Sequence, residues 1–289
     1  MSAFAEGTTF HVTTVDEPAS AVIAGFSQFG LAGLTAADYL VDHLELEQTG
    51  HIRAEGLPTI TPFENGRPRY PTRLFSRDDL DVTVLVGELF VPYGLAEPFS
   101  RAILGWTEEA AVEEIAVLSG APFPHGPTEH RAFYVASDDY RELHFPDHDP
   151  DAAPVSSAPD SGSPAASGDD EEHGGQPTTA EADAVPDGEP GGARPMTNGF
   201  LDGTNAALIA RAMESDLGGC VFVTPVHAQV PDVDAAVRLV AAVDHVYDLG
   251  VDTAPLEEFA AQVGQYYRTL AERLEAHADE EQPTDRMYM

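Results

Sequence analysis

Hydrophobic positions along the chain fall into short continuous runs, separated by longer stretches in which apolar residues recur at steps of three and four. Residues 21–25 (Ala-Val-Ile-Ala-Gly) form such a run and read as a strand, closed by a glycine-marked turn. A helical pattern follows from Thr35, a candidate N-cap, through Tyr39, Leu40, His43 and Leu44. Residues 59–63 and 70–75 flank Asn65-Gly66, two residues that accept positive φ, which predicts a hairpin. Residues 82–86 and 115–118 are strands of near-continuous apolar character, and between them Phe99, Ala102, Ile103, Trp106 and Ala110 keep helical spacing. Residues 132–136 complete this first part as a further strand.

The pattern then stops. From 147 to 197 there is no Phe, Tyr, Trp, Leu or Ile, but 8 Pro, 7 Gly and 5 Ser. Such a segment buries too little apolar surface to offset its ordering entropy, and disorder is expected. Beyond it the same grammar resumes. Residues 205–213 read as a helix and 220–224 as a strand, and Val233, Val237, Val240, Val243 and Tyr247 mark a long helix opened by Pro231-Asp232. Leu256, Phe259, Val263, Tyr267, Leu270 and Leu274 form the apolar stripe of a last amphipathic helix. Strands and helices alternating on both sides of the interruption predict one α/β domain. Its parts are residues 1–146 and 198–276, with an acidic insert at 147–197 and a flexible tail at 277–289. Two independent domains are disfavoured, because the part after the insert offers one confident strand, and a lone strand makes no sheet.

Composition changes the picture mainly by exclusion. The 289 residues carry 50 Asp and Glu against 14 basic side chains, a formal net charge of −36. All 14 are Arg; Lys is absent. A surface this negative repels phosphate backbones and anionic lipid, which argues against nucleic-acid and peripheral membrane partners. The insert contributes −11 and leaves −25 on the remaining 238 residues, so the acid is spread over the whole chain. That distribution, with no Lys, matches adaptation to high salt, where the Debye length falls to roughly 3 Å. Without Lys there is no Schiff base, no P-loop lysine and no ligase lysine. The single Cys220 excludes an internal disulfide and a cysteine-built metal site and fits a reducing, cytoplasmic setting. No run of 18 apolar residues and no basic-then-apolar leader is present, so neither membrane spanning nor standard export is expected.

Candidate chemistry is sparse. The turn Gly25-Phe-Ser-Gln-Phe-Gly30-Leu-Ala-Gly33 lies between a strand and a helix, where backbone N–H groups can cradle an anion. It matches neither the dinucleotide nor the Walker spacing, and a tight turn with close approach of helix to strand is the better account of its glycines. Glu88, at the end of a strand, is the best placed carboxylate for acid–base work, and His125 sits in a Pro-rich loop of the kind that edges open α/β sheets. Gly25, Gly30, Gly33, Glu88 and His125 together define a candidate pocket for a small-molecule-binding, hydrolytic or phosphorylase-like enzyme. No nucleophile elbow and no metal-binding spacing accompanies them, so neither catalytic residues nor a cofactor is assigned. His144 and His148 run into the insert. The chain closes on Met287-Tyr288-Met289 after a polar spacer. An apolar plug, a phenol and a free α-carboxylate suit capture by a partner pocket, although a frayed terminus has the same composition.

These residues carry a resemblance. Residues 21–33, leading into Ala36-Ala-Asp-Tyr-Leu-Val, are similar to the signature of archaeal members of the proteasome assembly chaperone family. Also similar are Gly50-His-Ile-Arg-Ala-Glu-Gly-Leu-Pro58, Val84-Leu-Val-Gly-Glu88, Asn198-Gly-Phe-Leu-Asp-Gly-Thr-Asn-Ala-Ala-Leu208 and residues 225–236. The chain has Ser27-Gln28 where many relatives have Pro-Gly. The resemblance implies a three-layer α/β fold like that of nucleoside phosphorylases, without recognised catalytic residues. It further implies an ATP-independent chaperone or adaptor of the 20S proteasome that assembles as a homo-oligomer. Relatives engage the α-subunits through a C-terminal hydrophobic-Tyr-any motif, matched here by Met287, Tyr288 and Met289. Some archaeal members are labelled ATP-grasp-like, a label the absence of Lys opposes.

Overall fold

The apolar run at residue 21 becomes the middle of a nine-stranded sheet. The computed structural model describes residues 7–57, 60–123, 131–146, 192–227 and 230–280. In chain order the elements are β1 (Thr9–Thr14), β2 (Ala21–Phe26), α1 (Ala32–His43), β3 (Glu47–Glu55), β4 (Phe63–Glu64), β5 (Arg67–Pro68), β6 (Thr72–Ser76) and β7 (Val82–Gly87). They continue with α2 (Ala96–Glu109), β8 (Glu114–Pro122), β9 (Phe133–Ala136), α3 (Asp138–His144), β10 (Arg194–Pro195), α4 (Gly203–Ala212), β11 (Gly218–Val226), α5 (Val233–Tyr247) and α6 (Ala254–Glu280).

The sheet runs β1-β3-β6-β7-β2-β8-β11-β9-β10. Its centre, β7-β2-β8-β11, is parallel, and Ala21 lies opposite both Val82 and Glu114. Parallel strands need cover on both faces, which is why β2 and β7 are buried at every position. Ala21 and Ile23 pack beneath α1, α5 and α6, whereas Val22, Ala24 and Phe26 pack beneath α2 and α4. The result is one mixed α/β domain of three layers. Burying each Val, Ile or Leu of these runs stabilises the fold by roughly 1.5–3 kcal/mol before entropy is counted.

Several elements differ from the sequence pattern. Helix α1 begins at Ala32, three residues before Thr35, because Gly30 (φ 64°) and Leu31 (φ 52°) turn the chain into it through left-handed conformations. The Asn65-Gly66 hairpin exists but is confined to β4 and β5, with φ of 49° and 77° at its two turn residues. Residues 72–76 pair instead with β3 and β7 in the main sheet. Strands β1 and β3 were not anticipated; they pair antiparallel over six residues and extend the sheet beyond β6. Strand β10 lies within the stretch assigned to the insert: Arg194 pairs with Phe133, and the Met196 amide donates to the Tyr134 carbonyl at 3.0 Å. The rest of that assignment, 147–191, falls outside the described residues.

Helix α3 also went unread. His144 is anchored there, its Nε2 2.6 Å from Glu114 Oε2 at the start of β8. Beside it the Tyr140 and Tyr247 hydroxyls share a hydrogen bond of 2.9 Å, and burial pushes both phenols well above their usual range. The chain is thus pinned to the sheet just before residue 147.

Candidate functional site

Strand β2 leads into α1 on one face of the sheet, and its neighbour β7 leads into α2 on the other. Where successive connections part in this way, a crevice opens beyond the carboxyl ends of the strands. Here it is a cavity of about 580 Å³ on the α2/α4 side. The turn after β2, the segment after β7, the end of β8 and the approach to α4 supply its walls.

The cavity floor is polar and uncharged. Gln28 Nε2 donates to Asn205 Oδ1 at 3.0 Å, Asn205 Nδ2 donates to Ser119 Oγ at 2.8 Å and to Gln28 Oε1 at 3.1 Å, and Ser119 Oγ donates to Gln28 Oε1 at 2.9 Å. Asn205 and Ser119 are buried, at 5% and 4% exposure. The mouth is aromatic: Phe90, Tyr93 and Phe200 are 63%, 61% and 94% exposed. Tyr93 Oη donates to Asp202 Oδ2 at 3.1 Å, and that hydrogen bond holds the phenol above its usual range.

Neither Gly25, Gly30, Gly33 nor Glu88 lines this cavity. A Cβ on Gly25 would lie 2.1 Å from the Gly33 carbonyl oxygen, and one on Gly30 would lie 2.7 Å from Val226 Cβ. The space beside these glycines is filled by the protein's own chain, so they serve the close approach of helix to strand. His125 and Met287, Tyr288 and Met289 lie outside the described residues.

Glu88 belongs to a separate ionic cluster. Its Oε1 lies 2.7 Å from Arg69 Nη2 and 3.6 Å from Arg73 Nη2, and Arg73 in turn lies 4.0 Å from Asp38 on α1. Arg73 is 5% exposed, and its Nε and Nη2 are buried without a hydrogen-bond partner, as is Glu88 Oε2. Burial pushes the Asp38 carboxyl from 3.8 up to about 6, against the opposing pull of Arg73. Among the described residues no three His, Cys, Asp or Glu side chains gather as a metal site, and no helix is long and apolar enough to cross a membrane. Cys220 is fully buried, and burial raises its thiol well above the usual range.

Residues 22–271 match the family model described as the PAC2 family. The chain belongs to the PAC2 family. The PAC2 match starts in β2 and ends in α6, so it takes in every strand of the sheet after β1, helices of both layers and every wall of the cavity. The PAC2 chain is similar in fold to Pyrococcus furiosus PbaA, described as an archaeal homologue of a proteasome-assembly chaperone. That likeness has a TM-score of 0.68 at 18% identity and covers 98% of this chain and 100% of the other. P. furiosus PbaB, described as an archaeal proteasome activator, gives a TM-score of 0.66 at 16% identity over 91% and 98% of the two chains. A PAC2 family protein from Streptomyces avermitilis gives 0.55 at 14% identity over 87% and 96%. No curated protein matches the sequence.

Proposed function

We propose that this PAC2 chain is a non-enzymatic, ATP-independent chaperone or adaptor of the proteasome system. It acts as a homo-oligomer and binds the α-ring of the 20S core through Met287, Tyr288 and Met289. The observation that carries the reading is membership of the PAC2 family together with a fold shared, over nearly the whole chain, with PbaA and PbaB.

Three features support the finer points. The chain has no Lys to grip a nucleotide phosphate. Helix α6 is 27 residues long, about 40 Å, and is the last element before the tail in the chain. Along that helix Leu256 and Ala260 are buried, whereas Phe259, Tyr266 and Leu270 are exposed and repeat on one face, a stripe suited to a second copy. In this account Met287 fills an apolar slot between α-subunits, the Tyr288 ring packs at its rim, and the Met289 carboxylate pairs a basic group. One such tail binds weakly, and several on one oligomer add avidity.

Truncation after Arg286 tests the tail. The full chain, immobilised at high salt, is expected to retain core particles or α-subunits, and the truncated chain to lose them. Equal retention by both would overturn the tail as the contact and leave the family-level role standing. Retention by neither would overturn the proteasome partner itself.

A further inference from the structure

We propose that the cavity at the carboxyl edge of β2, β7 and β8 is a binding site for a small, neutral, planar molecule with an amide or lactam edge. The proposal is independent of the proteasome reading and rests on how the floor's hydrogen bonds are spent.

Gln28, Ser119 and Asn205 together offer more valences than they use on one another. A carboxamide nitrogen carries two donors and its oxygen accepts two bonds. Both N–H groups of Asn205 Nδ2 are committed, to Gln28 Oε1 and Ser119 Oγ, and Gln28 Oε1 accepts twice. The Gln28 NH2 spends one donor, on Asn205 Oδ1, which accepts that single bond. The floor therefore keeps one uncommitted N–H on Gln28 and one uncommitted lone pair on Asn205 Oδ1, on atoms 3.0 Å apart. A donor beside an acceptor is the complement of a lactam or carboxamide, whose C=O takes the Gln28 proton while its N–H donates to Asn205.

Turning one amide alone breaks two or more of its bonds, and turning both together only exchanges donor for acceptor, so the floor presents one donor beside one acceptor in either arrangement. A preorganised floor loses little entropy on binding. Phe26, Phe29, Leu89, Phe90 and Tyr93 provide apolar surface for a planar ring above it. Charge settles the remaining property of the ligand. The one charged side chain among the lining residues described is the carboxylate Asp202, so an anion meets no countercharge and is disfavoured in a chain of net charge −36.

The test uses the full chain and 2-pyridone, which has the cis-lactam edge on one flat ring. In a 1H–15N titration the side-chain NH2 resonances of Gln28 and Asn205 are expected to shift saturably. 1-Methyl-2-pyridone, which lacks the donor, and benzoate, which carries charge, are expected to bind about tenfold more weakly or not at all. Gln28→Leu should weaken 2-pyridone by a similar, roughly tenfold factor. Phe90→Ala changes an exposed wall residue without threatening the fold and should also weaken it. Absence of saturable shifts, equal binding of the three probes, or indifference to both substitutions would overturn the proposal. Shifts produced by an apolar blocked peptide but not by 2-pyridone would assign the cavity to a protein partner and overturn it as well.

Discussion

Gly33, in the first turn of α1, lies against the Leu118 carbonyl of β8 so closely that a Cβ there would sit 2.0 Å from that oxygen. The helix thereby rests on the backbone of the sheet, and Ala32, Ala36 and Ala37 keep the rest of the contact equally thin. Gly33→Ala is expected to force α1 outward and to destabilise the fold by about 2–3 kcal/mol. Urea denaturation followed by circular dichroism measures it, and a loss within experimental error of zero would show that the contact yields easily.

Glu88 compensates two arginines at once, one of them buried. Removing its charge leaves Arg73 with one ion-pair partner among the described residues, Asp38 at 4.0 Å. Glu88→Gln, which keeps the shape, should therefore cost about 3 kcal/mol. Equilibrium unfolding of the variant provides the comparison. Its place at the end of a strand made it the best placed carboxylate for acid–base work in the sequence; the structure gives it two guanidinium partners.

Asp38 supplies the pH dependence. Its carboxyl is raised from 3.8 to about 6, so the folded chain holds that proton more tightly than the unfolded one. The associated stability is present below the lower value and is lost as pH climbs through the higher one. Because the side chain is 47% exposed, solvent screening keeps the effect small. The difference in melting temperature between wild type and Asp38→Asn should shift in the variant's favour as pH rises from about 4 to about 7, through the raised value, and stay level above that. A difference that does not change with pH would contradict the assignment.

What could be read from the sequence follows from how each element is stabilised. Strand β2 and helices α5 and α6 were legible because their apolar residues are contiguous or periodic, and Asp232 before α5 accepts from the Ala235 amide as an N-cap does. Strand β3 was not, since Glu47-Gln-Thr-Gly-His-Ile-Arg-Ala-Glu55 has one large apolar residue, and its conformation comes from pairing with β1 and β6. The carboxyl edge of β2 was located through its glycines. The residues on the cavity floor were not, because Gln28 meets Ser119 across 91 positions and Asn205 across 177. The available signal was an amide inside a glycine turn, Gln28, and a second amide just after Gly203, Asn205.

The exposed stripe on α6 predicts self-association. Tyr266→Glu with Leu270→Glu places charge on a face that carries 64% and 38% exposed side chains. Analytical ultracentrifugation should show the wild type as an oligomer and the double variant as a monomer with unchanged circular dichroism. An unaltered oligomer would place the interface elsewhere.

The proteasome assignment is tested most directly by binding of the purified full chain to isolated 20S core particles from the same source, followed at high salt by surface plasmon resonance. The account predicts saturable binding in the absence of ATP that is unchanged when ATP is added and is competed by a peptide ending in Met287-Tyr288-Met289. No binding to core particles or to free α-subunits, with the chain folded and oligomeric, would contradict it.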